Sequence, residues 1–388
     1  MKLTSKQEQG LKIATERYQL KEKFTVVSGY AGTGKSTLVK FIVANLGIDN
    51  KDVAYISYTG KAALVLKEKG CPNAMTAHKL LYKTFKKSDG TFAHVPRLDL
   101  EKDYKLIVVD EVSMLPSNMW DLLLTHKVHI LAMGDPGQLP PIGTAHNILD
   151  TPHIFLDEIM RQAAESEIIR LSAEVRAGKS IKPYKGSEIN IVKSTDMVDG
   201  MYTWADQIIC GKNTTRRAIN EYCRAMKWEE DESGLLLPKD GDKIICLHNN
   251  WDQVTEDGTV LVNGLIGECF NIKTAPGPFG WDCWLDFIPD CCNLENDENM
   301  GFSALHVDYK MITQGEPTIT KENYRRFPRN YRLESFDYGY AITCHKSQGS
   351  EYNKVLVIEE VLREEQHARW LYTACTRAKE KLTLVLKN

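Results

Sequence analysis

The sequence predicts an α/β protein whose central sheet is parallel. Apolar runs of strand length alternate with helix-like stretches along the chain, a pattern typical of parallel α/β architecture. At 388 residues the chain is long enough for two core-forming domains and a smaller insertion. The predicted strands are 24–27, 53–57, 106–109, 130–133, 208–210 and 355–358.

The first strand leads into a glycine-rich loop that fits the Walker A pattern. The loop lies between the apolar run 24–27 and the amphipathic stretch 38–46. Its glycines let backbone N–H groups close around phosphate oxygens, and the helix N-terminus adds partial positive charge. Lys35 is expected on the β- and γ-phosphates, and the Ser36 hydroxyl on Mg²⁺. The predicted nucleotide-binding residues are Gly29, Ala31, Gly32, Thr33, Gly34, Lys35, Ser36 and Thr37.

Two carboxylates, Asp110 and Glu111, follow the strand 106–109. The carboxyl end of a parallel strand is the usual ligand edge of such a sheet. We predict that Asp110 holds Mg²⁺ and that Glu111 orients and deprotonates the attacking water. Alone, this pair is equally consistent with an acidic helix cap before Ser113, but the upstream Walker A loop favours catalysis.

The strand 130–133 is followed by the loop Gly134-Asp-Pro-Gly-Gln138. A glutamine amide can bond water and a phosphate oxygen together, so hydrolysis would change its contacts and move the loop. We therefore predict that Gln138 senses the γ-phosphate. By itself, a Gly-Asp-Pro-Gly sequence indicates only a turn.

Two stretches, 82–101 and 241–333, interrupt the α/β pattern and are interpreted as insertions. The first has a Ser-Asp-Gly turn between arms that carry Phe85 and Phe92, which predicts a β-hairpin. The second has short β-like runs and ends in 321–332, which holds five cations and three aromatic residues. That composition suits single-stranded nucleic acid and suits a solvated loop equally well.

The order and spacing of these motifs resemble the superfamily 1 helicases of the RecD and Dda-like type. The resemblance runs from residue 3 to about residue 385. The motifs that carry it are Gln7, the loop 29–37, Tyr58-Thr-Gly-Lys-Ala-Ala63, Thr76-Ala-His78, Asp110-Glu-Val-Ser113, Gly134-Asp-Pro-Gly-Gln138, Arg161-Gln162, His345-Lys-Ser-Gln-Gly349 and Tyr372-Thr-Ala-Cys-Thr-Arg377.

The resemblance implies an α/β fold of two RecA-like P-loop domains. A β-hairpin would be inserted in the first domain and an SH3-like β-barrel in the second. The implied boundaries are 1–153 for the first domain, with its hairpin at about 82–101, then 154–240 with 334–388 for the second, and 241–333 for the barrel.

The resemblance also implies an ATP-dependent DNA helicase that moves 5′ to 3′ on single strands, with ATP and Mg²⁺ as cofactors, for replication, recombination or repair. Gln7 would recognise adenine, although a surface glutamine is an alternative. Arg161 and Arg377 would reach the γ-phosphate as arginine fingers. Gly349 would lie at the nucleotide, and Glu351 would hold the ribose hydroxyl or be a solvated side chain.

The implied partners are single-stranded DNA and forked or tailed duplex DNA. The net charge of −3 gives no overall basic footprint, so local groups must bind DNA. Structural histidines, and rings that only pin the hairpin, are alternatives, and Tyr58 stands where these helicases commonly have Pro. The implied DNA-binding residues are Thr59, Lys61, Thr76 and His78, the hairpin residues Phe85 and Phe92, and Thr343, His345, Lys346 and Ser347.

The composition and the N-terminal sequence indicate where the protein is located and whether it binds a structural metal. The N-terminus is too polar for a secretory signal and no apolar run has transmembrane length, so we expect a cytoplasmic protein without a membrane partner. The ten cysteines form no Cys-x-x-Cys pair, which indicates reduced thiols and no metal beyond Mg²⁺. We expect a monomer that works with single-strand-binding or replication proteins.

Two other functions fit the residues less well. One is a nucleotide-switched module that clamps or remodels single-stranded DNA without travelling, although Glu111, Gln138 and Arg377 favour hydrolysis. The other is an RNA substrate, since phosphate contacts discriminate poorly between sugars.

Overall fold

The computed structural model describes residues 3–71, 73–86, 92–140, 148–160, 164–228, 237–255, 260–290, 301–320, 323–328 and 331–387, with the backbone alone at 68, 84–86, 92–94 and 251. The chain divides into two compact units. Unit 1 comprises Met1–Lys83, His94–Gly211 and Ser347–Asn388, and unit 2 comprises Thr84–Ala93 and Lys212–Lys346.

Four of the described α-helices begin at a residue whose side chain caps the first turn. Thr59 and Thr76, for example, accept the N–H groups of Ala62 and Lys79. The helices are α1 (Ser5–Gln19), α2 (Lys35–Asn45), α3 (Gly60–Glu68), α4 (Ala77–Leu81), α5 (Ser117–Thr125), α6 (Glu167–Arg176), α7 (Gly200–Trp204), α8 (Asn213–Lys227), α9 (Tyr309–Gln314), α10 (Cys344–Ser347) and α11 (Glu364–Cys375).

The first sheet of unit 1 is parallel throughout, in the order β3-β2-β6-β7-β1-β8. Between β3 and β6 in the chain, β4 and β5 pair as a separate two-stranded sheet. These strands are β1 (Phe24–Gly29), β2 (Val53–Ser57), β3 (Ala74–Thr76), β4 (Tyr82–Lys86), β5 (Phe92–Pro96), β6 (Leu106–Val109), β7 (His129–Gly134) and β8 (Ile154–Leu156).

The central strands of the first sheet are buried on both faces. Leu106 and Val108 of β6 pack into one hydrophobic cluster, whereas Ile107 and Val109 pack into another. Successive residues of a strand point to opposite faces, so a sheet covered on both sides needs an unbroken apolar run. The core therefore requires the apolar runs seen in the sequence.

A second sheet of unit 1 contains β11, β20, β21 and β10 in parallel order, with β9 antiparallel to β10. Helices α6 and α11 precede β9 and β21 in the chain. The strands are β9 (Tyr184–Lys185), β10 (Ile189–Lys193), β11 (Gln207–Cys210), β20 (Tyr352–Ile358) and β21 (Ala378–Leu386).

Unit 2 is built around an antiparallel sheet in the order β17-β16-β15-β12-β18, with β13 and β14 paired separately. The strands are β12 (Asp242–Cys246), β13 (Asn250–Val254), β14 (Val260–Leu261), β15 (Ile266–Gly277), β16 (Gly280–Pro289), β17 (Phe302–Val307), β18 (Phe336–Tyr338) and β19 (Ala341–Thr343).

The predicted parallel α/β architecture is confirmed. The runs 53–57 and 106–109 are β2 and β6 with the same bounds, and the other four predicted runs lie within β1, β7, β11 and β20. Sequence analysis did not predict β10 or β21. Strand β21 was missed because it begins with the exposed charged residues 379–381 and becomes buried only at Leu382. Among the described residues, no helix is both long and apolar enough to cross a bilayer.

Candidate functional site

The phosphate loop joins β1 to α2. Gly32 and Gly34 have φ of 76° and 78°, in the left-handed region that glycine tolerates. Helix α2 begins directly after Gly34, and no side chain caps its first N–H groups, which are therefore available to phosphate oxygens. The ammonium of Lys35 donates to the carbonyl oxygens of Gly29 (2.8 Å) and Tyr30 (3.0 Å). The predicted phosphate-binding residues thus form one continuous loop and helix start.

Asp110 and Glu111 follow β6 at the carboxyl edge of the first sheet. Glu111 has a φ of 50°, a left-handed conformation that costs a non-glycine residue about 1–3 kcal/mol. Its N–H donates to Asp110 Oδ1 (3.0 Å). Burial, and then the adjacent charge of Glu111, raise the pKa of Asp110 to about 7, while the charge of Lys35 acts in the opposite direction. The two acids and Lys35 therefore belong to one electrostatic site.

The oxygen ligands at this site fit a Mg²⁺ ion. Asp110 is half-buried, and Ser36 is exposed on the first turn of α2. Magnesium usually takes one or two side-chain oxygens together with phosphate oxygens and water. Within the described parts of the chain, no three His, Cys, Asp or Glu side chains gather into a metal-binding cluster. The two oxygen ligands of Ser36 and Asp110 suit a Mg²⁺ ion that takes its other ligands from a nucleotide and water.

The loop after β7 contains Asp135 and Gln138. Strand β7 lies between β6 and β1, so this loop leaves the same sheet edge as Asp110 and the phosphate loop. Asp135 is buried, and its Oδ1 accepts the Gly137 N–H (2.8 Å). The Oε1 of Gln138 is buried and has no hydrogen-bond partner among the described residues. Because buried polar atoms are nearly always bonded, this oxygen marks a position suited to a ligand or water.

Tyr372 of α11 joins this loop to the phosphate loop. Its hydroxyl accepts the N–H of Ala31 (2.8 Å) and donates to Asp135 Oδ2 (2.6 Å). The side chain is buried, and burial raises the pKa of the phenol, so it is a protonated donor. Sequence analysis quoted Tyr372 only as part of a motif and assigned no role to it or to Asp135. The motif spacing contains no signal that would have paired them.

The next residue of the loop, Leu139, is held from both sides. Its N–H donates to Thr373 Oγ1 (2.9 Å), and its carbonyl accepts from Gln348 Nε2 (2.8 Å). Thr373 and Gln348 are both buried. The loop 135–139 is therefore held by side chains from the part of unit 1 that carries the second sheet.

Arg377, a predicted arginine finger, is buried beside α11. Its guanidinium donates to the carbonyl oxygens of Thr373 (3.1 Å) and Ser350 (3.2 Å) and to Thr376 Oγ1 (3.3 Å). These partners lie in the same part of the chain as Arg377, and its contact with the γ-phosphate stays a prediction. Arg161, the other predicted finger, lies outside the described residues.

Gln7 lies against the phosphate loop. It forms a capping box with Thr4, and its Nε2 donates to the carbonyl oxygen of Thr33 (3.2 Å). Only 1% of its surface is exposed, so the alternative of a surface glutamine is wrong. Its recognition of adenine stays a prediction.

Gly349 lies near the start of α3 and Glu351 near its end, in the first half of unit 1. Glu351 is 42% exposed and pairs with Lys69 (3.5 Å) and more distantly with Lys379 (3.9 Å). Gly349 has a φ of 73°, and a Cβ there would lie 2.8 Å from the Cβ of Ala62. Close approach therefore requires glycine at 349. The predicted contacts of both residues with nucleotide stay predictions.

The four predicted DNA-binding residues of the first sheet lie at the carboxyl ends of β2 and β3. The Thr59 and Thr76 hydroxyls cap α3 and α4 as acceptors, and each retains a hydrogen that can be donated to phosphate. Lys61 donates to the hydroxyl of Tyr352 (3.2 Å) and lies over its ring. His78 lies between two rings that sequence analysis did not assign to DNA, those of Tyr58 and Tyr82, at 5.8 Å from each.

The predicted DNA-binding residues 343–347 span the end of β19 and helix α10. Burial lowers the pKa of His345, and burial and then the charge of Arg216 lower the pKa of Lys346. Ser347 is fully buried. Thr343 ends β19. Each of their DNA contacts stays a prediction. Phe85 and Phe92 lie on the paired strands β4 and β5, but their side chains are outside the described structure.

Comparison with known proteins finds family matches in two parts of the chain. Residues 2–201 match the family described as an AAA domain, and residues 338–385 match the UvrD-like helicase C-terminal domain. The uncharacterized protein R530 of Acanthamoeba polyphaga mimivirus is 30% identical, over 94% of this chain and 96% of its own.

Two further proteins similar to this chain are described by their function or by their bound ligands. The ATP-dependent RecD2 DNA helicase of Deinococcus radiodurans is 24% identical over 92% of this chain and 46% of its own. The chain spans less than half the length of this relative and of several others that it matches. The structure of the Bacteroides Pif1 helicase with ADP-AlF3 and single-stranded DNA has a TM-score of 0.52 at 17% identity, covering 99% of this chain and 92% of its own. That likeness shows a shared two-domain α/β fold.

Proposed function

The chain belongs to the superfamily 1 helicases of the RecD and Dda-like type, and we propose that it is an ATP-dependent DNA helicase. It would move 5′ to 3′ on single-stranded DNA and unwind duplex DNA, and its substrates would be single strands and forked or tailed duplexes. Its RecD2 relative is described as an ATP-dependent DNA helicase, and the Pif1 structure holds single-stranded DNA.

One observation carries the proposal. The phosphate loop, the Asp110–Glu111 pair and the Gln138 loop leave three adjacent strands of one parallel sheet, ordered β6-β7-β1. Carboxyl ends of adjacent parallel strands form the ligand edge of such a sheet. The groups needed to bind a triphosphate, activate a water and sense the γ-phosphate are therefore gathered at one edge.

The chain's residues would divide the chemistry of hydrolysis. Lys35 and the start of α2 bind the phosphates, and Glu111 accepts a proton from the attacking water. Glu111 also orients that water, Gln138 senses the γ-phosphate, and Arg161 and Arg377 stabilise charge on the transferred phosphoryl group. Ser36 and Asp110 would hold a Mg²⁺ ion, which would supply positive charge to the phosphates when bound.

The architecture would couple this chemistry to DNA. We infer two RecA-like domains, 1–153 and 154–240 with 334–388, and an SH3-like insertion at 241–333. The antiparallel sheet of unit 2 supports the last assignment, and the β4–β5 pair supports a hairpin that separates strands. The predicted DNA-binding residues would carry mainly sequence-independent contacts, because Thr, Ser and Lys bind phosphates.

The proposal is tested by ATP hydrolysis with and without single-stranded DNA, run beside unwinding of duplexes with a 5′ or a 3′ tail. We expect DNA-stimulated hydrolysis and unwinding from the 5′ tail alone. Hydrolysis without unwinding of either substrate would favour a clamp, and unwinding from the 3′ tail alone would contradict the polarity. Stimulation by RNA but not DNA would identify an RNA substrate.

The matched variants for this assay lie on one helix. Lys35→Ala should abolish hydrolysis in a folded protein, whereas Lys40→Ala, on the exposed side of α2, should leave it unchanged. Circular dichroism would verify that both variants fold. Normal turnover by folded Lys35→Ala would refute the assignment of the phosphate site.

A further inference from the structure

The Tyr372 hydroxyl has two partners that belong to the nucleotide site. It accepts from Ala31 of the phosphate loop and donates to Asp135, which in turn accepts the Gly137 N–H. Tyr372 and Asp135 are each 1% exposed, so water does not compete for these bonds. One buried hydroxyl therefore connects the phosphate loop to the loop that carries Gln138.

The ring of Tyr372 also restricts that loop. A Cβ at Gly137 would lie 3.0 Å from Cε1 of the ring, so the loop backbone passes directly over the tyrosine. The following residue of α11, Thr373, accepts the Leu139 N–H. Two consecutive residues of one helix thus hold both ends of the segment 135–139.

Gln138 lies between these two attachments. Its backbone N–H donates to the Asp135 carbonyl (3.3 Å), and its buried Oε1 has no partner within the described part of the chain. The side chain is therefore held by a fixed loop with one acceptor unused. Holding Gln138 in place should raise the rate of hydrolysis, because misplacing a group at the reaction centre by about 1 Å can slow the reaction ~10²-fold.

We propose that Tyr372 is a positioning residue for ATP hydrolysis, whose hydroxyl sets the place of Gln138 relative to the phosphate loop. The inference rests on the proposed ATPase function. Tyr372 would act through Asp135 and the 135–139 loop. Since α11 leads to Arg377 two residues after its end, the same helix would link Gln138 to the arginine finger.

The test is the steady-state kinetics of Tyr372→Phe, which keeps the ring and removes the hydroxyl. We expect kcat for ATP to fall about 10- to 100-fold while KM changes less than about threefold, because Lys35 and α2 still bind the phosphates. The matched control is Tyr340→Phe in unit 2, whose hydroxyl also donates to a buried aspartate, Asp242 (2.8 Å). It should lose a similar amount of stability and keep its kcat.

A double variant tests the route through Gln138. If Tyr372 acts by placing Gln138, then adding Tyr372→Phe to the Gln138→Ala variant should lower its kcat by less than about twofold. The effects of residues that act as one unit are not additive. Independent effects that multiply would overturn the proposal.

The remaining outcomes are also decisive. A kcat of Tyr372→Phe within twofold of the parent, or a raised KM at unchanged kcat, overturns the proposal. If Tyr372→Phe does not fold, Thr373→Val, which removes the bond to Leu139, should lower kcat with little change in KM, and an unchanged kcat there overturns it. An unmodified chain without ATPase activity refutes the proposed function itself, before any variant is made.

Discussion

At the scale of single residues, the strained backbone of Glu111 lowers the stability of the fold at a position that is proposed to be needed for hydrolysis. The general base proposed here has a φ of 50°, and four other non-glycine residues have positive φ in the described chain, among them Lys127 at 55°. L-residues in this region are strained, and the strain is tolerated at functional sites where the surrounding fold enforces it. Relief of that strain should be measurable apart from chemistry.

Glu111→Gly is therefore expected to abolish hydrolysis and yet stabilise the fold by up to about 1 kcal/mol, because glycine adopts this φ without strain. Lys127→Gly is the matched control, with the same expected gain and unchanged turnover. Thermal unfolding and ATPase assays measure the two effects. A lower melting temperature for Glu111→Gly, together with a higher one for Lys127→Gly, would show that the Glu111 side chain stabilises the fold.

His153 makes the first sheet sensitive to acid. Its Nδ1 accepts the Val26 N–H (3.0 Å), so the bond needs the neutral ring, and burial lowers the pKa of His153. In the unfolded chain the ring has a pKa of about 6.5, so the unfolded state binds more protons below that pH. This contribution to stability is complete above about pH 6.5 and is lost as the pH falls below it.

His153→Asn should flatten this dependence. Asn offers an oxygen acceptor near the position of Nδ1 and does not titrate in this range. We expect the variant to match the parent near pH 8 within about 1 kcal/mol and to lose less stability between pH 7 and pH 5.5. Urea unfolding at several pH values measures both. Parallel pH profiles for parent and variant would exclude His153 as the source.

At the scale of elements, the β4–β5 pair is the candidate for strand separation. The aromatic residues of its arms, Phe85 and Phe92, would stack on the terminal base pair, and base stacking is worth about 1–3 kcal/mol. Replacement of either by Ala should reduce unwinding several-fold and leave DNA-stimulated hydrolysis within about twofold. Parallel unwinding and ATPase assays on the same preparation measure the ratio. Equal losses in both assays would indicate a purely structural hairpin.

Within unit 2, a buried ion pair joins α8 to β12. Arg224 and Asp242 lie 3.0 Å apart with side chains 3% and 0% exposed. Asp242 also accepts from Trp228 Nε1 (3.0 Å) and from the Tyr340 hydroxyl (2.8 Å). Such a network satisfies a charge that would otherwise be costly to bury.

Arg224→Met should consequently destabilise unit 2 by about 3–5 kcal/mol, because the Asp242 charge is left buried without its partner. Lys12→Met, which breaks an exposed pair with Glu16 on α1, should cost less than about 0.5 kcal/mol. Calorimetric unfolding of both variants makes the comparison. Similar small losses would mean that Trp228 and Tyr340 compensate Asp242 without the arginine.

At the scale of the whole molecule, nucleotide and DNA binding should be linked. In Glu111→Gln, which is expected to bind ATP without hydrolysing it, ATP should change the Kd for single-stranded DNA by a factor of about 5–150. By thermodynamic reciprocity, DNA must change the Kd for ATP by the same factor. Fluorescence anisotropy with a labelled oligonucleotide, and then with a labelled nucleotide, measures both. Factors within twofold of one would mean independent sites.

The extent of sequence prediction differs between parts of the fold. The apolar runs of β2 and β6 were predicted to the residue, because a strand buried on both faces must be apolar throughout. Strand β21 was missed, since its first residues are charged and exposed and its pattern is that of a helix end or loop. The pairing order of unit 2 was also beyond the sequence, because β12 pairs with β18 from beyond the far end of the insertion, and no local pattern specifies that contact.

The nucleotide site shows the same division. The sequence by itself determined the phosphate loop, the Asp110–Glu111 pair and Gln138, because local chain geometry dictates glycines before a helix and acids after a strand. Only the tertiary structure decided that Tyr372 bonds to Ala31, 341 residues away, and to Asp135, 237 residues away. Such contacts depend on how the chain folds back on itself, and they leave no local pattern by which sequence could reveal them.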